Sequence, residues 1–280
     1  TIDQSPDSMT TQSGTQVVTM TVTDEAGNTA ECTFTLTVVD NAAPSITDCP
    51  TDTTIVLTAG CDYMLADFTA VPTVDDNCTP AGLLTVTQSP SIDSLLTGHG
   101  TIVPVTLTVT DANGNSSTCT FNVTLDDTTN PTITCPGNIP LGVDAGECFA
   151  TVTWIEPDGV DACGIVSTVR TGAAPGSQFS VGTTTITYTT TDAAGNTAEC
   201  SFDIVVSDDE LPTITCPSDQ DISANAACEF VMPDFRPTTT VGDNCTLVGD
   251  LTIDQSPDSM TTQSGTQVVT MTVTDEAGNT

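Results

Sequence analysis

The residues able to do chemistry in this chain fall into two groups, carboxylates and cysteines. Its 280 residues hold 37 acids against two bases, Arg170 and Arg236, with one histidine, 12 cysteines and no lysine. His99 lies in a glycine-flanked stretch, Thr97-Gly-His-Gly-Thr101, with no second histidine and no adjacent Cys or Ser dyad to make it a base. The cysteines form no CxxC pair and no Cys/His cluster, which argues against a zinc centre. In an acidic, lysine-free chain they point instead to disulfides in an oxidising compartment. No nucleophile–base constellation supports an enzyme.

The acids suit a hard cation. A net charge of −35 excludes nucleic acid, whose phosphates need Lys and Arg, and disfavours an anionic membrane. Three acidic elements recur: an Asp in a proline-containing linker, an Asp before a cysteine, and the Asp and Asn of a D-x-x-G-N turn. The first set is Asp40, Asp76, Asn77, Asp111, Asn113 and Asn115, with Asp75 beside it. The second is Asp127, Asp161, Asp192 and Asn196, with Asp126, and the third is Asp208, Asp243, Asn244, Asp275 and Asn279, with Asp209. Calcium takes about six to eight oxygens of this kind, and a linker ligand plus two loop ligands would clamp adjacent domains. Ordinary turn chemistry is the competing reading, since tight turns also select Asp, Asn and Gly. Asp111-Ala-Asn-Gly-Asn115 opens like an EF-hand loop, but Ser116 and Asn122 replace its required Gly and Glu. Ala162, where the other sets have Asn77 and Asn244, weakens the middle one.

The elements that must position these residues repeat. Thr1–Thr29 and Thr252–Thr280 are identical, an offset of 251 residues. Within that period Cys-Pro recurs at Cys49, Cys135 and Cys216, spaced 86 and 81 residues apart, so three homologous domains make one period. The expected division is 1–40, the C-terminal part of a domain; 41–126 and 127–207, complete domains; and 208–280, the N-terminal part of the type seen in 1–40. Late strands alternate strictly: Cys119, Phe121, Val123 and Leu125; Cys200, Phe202, Ile204 and Val206; Cys32, Phe34, Leu36 and Val38. Such alternation gives a half-buried strand with the apolar face inward. Several short strands per domain and no helical period predict an all-β chain of tandem immunoglobulin-like β-sandwich domains, end to end. The chain reads as an internal fragment, without signal peptide or membrane span.

The segment Gly176–Pro217, GSQFSVGTTTITYTTTDAAGNTAECSFDIVVSDDELPTITCP, resembles a hyalin repeat (HYR) domain joined to its successor. It shares the G-x-x-F-x-V-G-T-T-T opening, the T-D-x-x-G-N-T turn, the C-x-F strand and the I-x-C-P start of the next domain. The resemblance implies extracellular, immunoglobulin-like modules of adhesion and matrix proteins. The four-cysteine tandem form is similar to giant repetitive surface adhesins of gliding Bacteroidetes, with sea-urchin hyalin the second comparison. The expected function is a segment of an extracellular filament or cell-surface adhesin, a stiff disulfide-bonded spacer with calcium at its junctions. A period would span about 120 Å from strand length and rise. Expected partners are other repeats of the same chain, surface glycans or other cells. The alternative is a glycan- or protein-binding module using loops at one pole of the sandwich, such as Ser89–Gly100 or Thr171–Phe179.

Four cysteines per domain allow three connectivities. First and last strands are neighbours in such a sandwich, which favours Cys49–Cys119 and Cys135–Cys200, the two positions that simpler hyalin repeats retain. The remaining pairs would be Cys61–Cys78, Cys148–Cys163 and Cys228–Cys245, although Cys61 starts a strand at the pole far from Cys78. The rival scheme joins Cys49 to Cys61 and Cys78 to Cys119. Ser8, Thr53, Ser94, Thr128 and Ser259 sit in triplets resembling bacterial O-glycan acceptors, and Asn77, Asn115, Asn122 and Asn244 in N-x-S/T sequons.

Overall fold

The computed structural model describes residues 1–11, 14–58 and 60–280, which form strands and turns with two single 3-10 turns, Ala81–Leu83 and Arg236–Thr238. The architecture is all-β, in tandem sandwich domains. The chain divides into two compact units, 1–129 and 130–280.

In the first unit a four-stranded sheet runs in the order Thr53–Leu57, Ser116–Asp127, Ile102–Thr110, Thr85–Ser89. Thr53–Leu57 lies parallel to its neighbour and the other pairings are antiparallel. Period-two alternation selects the buried face: Val105, Leu107 and Val109 on one strand, Phe121, Val123 and Leu125 on the next. Two short ladders, Ser45–Thr47 with Thr73–Asp75 and Asp62–Met64 with Leu95–Thr97, supply the second layer, and Leu57, Leu65 and Leu96 complete the core. Phe68 meets Phe121 edge-on at 4.9 Å, one of few aromatic contacts in an aliphatic interior.

The second unit repeats this plan, in the order Ile139–Gly142, Thr197–Ser207, Gly182–Asp192, Ile165–Thr171, again with the first pair parallel. Phe149–Val152 pairs with Ser177–Ser180 over a core of Ala150, Val152, Phe179, Ile186, Tyr188, Phe202, Ile204 and Val206. Trp154 packs on this core, edge-on to Phe202 at 5.5 Å, and its Nε1–H donates to the Tyr188 hydroxyl at 2.7 Å. Three short antiparallel ladders follow: Thr213–Thr215 with Thr240–Gly242, Glu229–Val231 with Thr262–Ser264, and Thr252–Ser256 with Thr270–Thr274.

The identical 29-residue segments occupy different surroundings. In both, the first strand pairs with the second in the same register, Ile2 opposite Val22 and Ile253 opposite Val273. Val273 is 3% exposed under the layer formed by residues 208–251, whereas Val22 is 48% exposed. The expectation that Phe34, Leu36 and Val38 face inward fails for the same reason: the sheet of Ile2–Ser5, Thr15–Thr23 and Thr29–Thr37 forms, yet these side chains remain exposed. Alternation fixes which residues share a face. Burial needs the second sheet.

Candidate metal centres

The four D-x-x-G-N turns fold alike because the motif closes on itself. The first Asp N–H donates to the carbonyl of the Asn four residues on, at 3.0–3.1 Å for Asp24, Asp111, Asp192 and Asp275. The glycine before each Asn takes a left-handed φ, 92° at Gly114 and 94° at Gly278, which an L side chain resists. The Asp111 Oδ1 accepts the N–H groups of Asn113 and Asn115, and its Oδ2 accepts the Asn115 amide at 2.7 Å. That amide also donates to the carbonyl of Asp40 at 3.1 Å, tying the turn to the linker. Asn279 ties Asp275 to the Asp208 carbonyl in the same way, at 2.8 and 3.2 Å.

The Asp before the third cysteine is held by a second local device. The Asp76 Oδ2 accepts the N–H groups of Cys78 and Thr79 at 2.9 and 2.7 Å, and the Asp243 Oδ2 those of Cys245 and Thr246 at 2.8 and 2.7 Å. The Thr79 and Thr246 hydroxyls then accept Ala112 N–H and Glu276 N–H from the turns, fastening the two loops together. Linker Asp40 and Asp208 each use one oxygen on a nearby N–H, of Ala42 and Glu210.

Two carboxylate triads result. Asp40, Asp76 and Asp111, and likewise Asp208, Asp243 and Asp275, each bring one oxygen per residue within 4.8 Å of one another. The inner oxygens are buried and lack any hydrogen-bond partner: Asp40 Oδ2 and Asp76 Oδ1 in one triad, Asp208 Oδ2 and Asp243 Oδ1 in the other. Asp40 and Asp208 are each 9% exposed. Unpaired buried anions are expensive, and buried charges ordinarily have a counter-charge. Burial, reinforced by Asp243, Asp275 and Asp209, pushes the Asp208 carboxyl up against the single bond from Glu210. Burial also raises Asp111 and Asp275, but the bonds from Asn115 and Asn279 and the turn N–H groups outweigh it and leave both lowered.

Other expected site residues are placed differently. The Asn113 side chain is exposed, and only its N–H reaches Asp111. Asn77 points its amide at Cys78 Sγ, and Asn244 at Glu147 O (2.7 Å) and Cys245 Sγ. In the first unit Asp127 is buried, accepts Thr129 N–H, and donates its own N–H to His99 Nδ1 at 3.0 Å, so His99 is a loop acceptor. In the second, Asp161 accepts Cys163 N–H at 2.7 Å, and Asp192, held by Asn196, is lowered by the same balance as Asp111. Of the glycan candidates, Ser8 and Thr128 are exposed, Thr53 opens a sheet strand, Ser94 lies by Ser91, and Ser259 accepts from Arg236.

Cysteines brace this scaffold. Cys49–Cys119 and Cys135–Cys200 join the first and fourth cysteines of their domains, across 70 and 65 residues. Loop-closure entropy makes each worth about 4 kcal/mol. The inner pairs expected from sequence are corrected. Cys148 bonds to Cys245, not to Cys163, which removes Cys228–Cys245 as well. Cys78 is a free thiol, which removes Cys61–Cys78 and the rival Cys78–Cys119 pair. Cys61 and Cys163 are disulfide-bonded, while Cys32, Cys216 and Cys228 are free. Cys148 immediately precedes the strand Phe149–Val152, and its partner Cys245 lies in a loop of the domain that follows. Two hydrogen bonds cross the same junction, Gly146 N–H to Glu210 Oε2 at 2.8 Å and Asn244 Nδ2 to Glu147 O.

Tandem sandwiches with disulfide bracing and acidic loops at the linkers define a class of repetitive β-modular proteins. The HYR domain family matches residues 3–38, 39–125 and 126–206, and the chain belongs to it. It is 32% identical over 275 residues to hyalin of Strongylocentrotus purpuratus, covering 95% of this chain and 22% of that protein. It is 36% identical over 216 residues to hyalin of Lytechinus variegatus, covering 74% and 39%. The chain thus spans well under half the length of these relatives. They support the sea-urchin comparison and not the preference for gliding bacteria. Among solved structures, a protocadherin gammaB7 EC3-6 fragment aligns with 95% of this chain and 81% of its own at 14% identity and a TM-score of 0.33.

Proposed function

We propose that this chain is a segment of an extracellular, adhesion-type filament, a stiff disulfide-bonded spacer whose domain junctions close around calcium. The observation that carries the reading is the pair of equivalent triads with buried, partnerless carboxylate oxygens. Each unites a linker Asp with two loops of the domain that follows, so a cation there would fix the linker against the domain. An all-oxygen, carboxylate-rich donor set suits calcium, and the chain's two arginines bond elsewhere, Arg170 to Glu156 and Arg236 to Asp234. Asp40, Asp76 and Asp111, and Asp208, Asp243 and Asp275, would hold the ion. The hyalin relatives and the oxidised cysteines support an extracellular setting.

The test is calorimetric titration of chelator-treated protein with calcium, alongside thermal melting with calcium and with chelator. Saturable binding and a higher melting temperature are expected, with about 2.7 kcal/mol of stabilisation at a hundredfold excess over Kd. Asp76→Asn and Asp243→Asn keep the oxygen that accepts the loop N–H groups but should weaken binding. Absence of both binding and melting shift would leave turn chemistry as the role of these acids.

A further inference from the structure

We propose that Cys228 and Cys78 are the two halves of a disulfide that joins successive copies of the 251-residue period. The proposal rests on the reading of the chain as a tandem array and is independent of calcium. Its pattern is the bond between Cys148, the second cysteine of one domain, and Cys245, the third cysteine of the next. Cys228 is likewise a second cysteine and Cys78 a third, and both are exposed free thiols. Displaced by the 251-residue offset of the duplicated segment, Cys78 falls 101 residues after Cys228, against the 97 that separate Cys148 from Cys245.

Local structure matches at both ends. Cys78 and Cys245 each donate their N–H to the preceding Asp, Asp76 or Asp243, and each has an Asn amide against its sulfur. Cys228 immediately precedes the strand Glu229–Val231, as Cys148 precedes Phe149–Val152. Each follows a tight turn, closed by Glu147 N–H on the Asp144 carbonyl or by Cys228 N–H on the Asn225 carbonyl. The outer bond, Asp144 N–H to the Phe149 carbonyl in the first and Asn225 N–H to the Glu229 carbonyl in the second, spans one residue fewer in the second, where Cys228 itself takes the left-handed φ of 59° that falls to Gly146 (76°) in the first.

Closing the bond removes two protons and two electrons from the paired thiols, and an external disulfide takes them up. One thiolate attacks that disulfide and expels a thiol; the second thiolate then displaces the other, leaving Cys228 Sγ bonded to Cys78 Sγ.

The test is peptide mapping by mass spectrometry, without reduction, of a chain carrying the period twice in tandem and folded in a glutathione redox buffer. A peptide linking Cys228 of the first copy to the Cys78 equivalent of the second is expected, in calcium and in chelator alike. Alkylation of both as free thiols, or a bond from either to another cysteine, overturns the proposal. In the same chain Cys228→Ser should make that Cys78 equivalent fully alkylatable while Cys49–Cys119 and Cys135–Cys200 persist. Continued protection of that thiol would equally overturn it. Failure of calcium binding alone would leave the linked peptide in place, so the two readings fail separately.

Discussion

Asp208 and Asp275 are triad neighbours with opposite electrostatic fates. Burial raises Asp208, so folding favours its protonated form, and that contribution is present below the ordinary value of 3.8 and lost as pH rises through the raised one. At neutral pH without a cation, Asp208 is therefore a cost. Asp275 is lowered, so its contribution is present above 3.8 and lost as pH falls through the depressed value. Melting in chelator at pH 7 should show Asp208→Asn raising the midpoint and Asp275→Ala lowering it. Both differences should shrink once the pH lies well below 3.8. In calcium the Asp208 variant should instead melt below the parent, because it has lost a ligand. A parent that outlasts Asp208→Asn in chelator would contradict the burial argument.

At the scale of elements, one sequence in two places separates local from tertiary stability. Val273→Ala removes two methyl groups from a filled core and should cost about 2 kcal/mol. Val22→Ala, at the same position of the other copy, should stay within about 0.5 kcal/mol. Hydrogen exchange followed by mass spectrometry reads each segment separately, which a single melting curve cannot do in a multidomain chain. Equal effects would mean that the first sheet is also covered. This contrast marks what was legible in sequence. Strand alternation in Phe121, Val123 and Leu125 and the glycine of the D-x-x-G-N turn are local requirements, and the fold honours them. The convergence of linker, loop and turn Asp was legible as three recurring acids. The bond from Asn115 to the Asp40 carbonyl spans 75 residues and was not. The Cys148–Cys245 bond is not legible within one domain's sequence, because its partner lies in the next domain. The one available signal was the polar mismatch, with Cys61 and Cys78 placed at opposite poles.

Across the whole molecule a net charge of −35 sits on a chain with two bases, so self-repulsion is the default. Salt screens charges more than roughly 8 Å apart at physiological ionic strength, which leaves oxygens within a triad exposed to one another. The Cys148–Cys245 disulfide opposes that repulsion at a junction between domains. The first-to-fourth bond has a second consequence, which concerns pulling. In the domain around Cys49–Cys119 both termini lie outside the loop, so only after reduction do Thr53–Leu57 and Ser116–Asp127, which run parallel and side by side, bear load. Tension on such a pair shears all its hydrogen bonds together. While the bond is intact it carries the force past the segment it closes, a sequence separation of 70 residues, and only the short flanks can extend. Single-molecule stretching should therefore show steps about 240 Å shorter when oxidised than after reduction. The domain behaves as a link of nearly fixed length, with its slack locked behind one sulfur–sulfur bond.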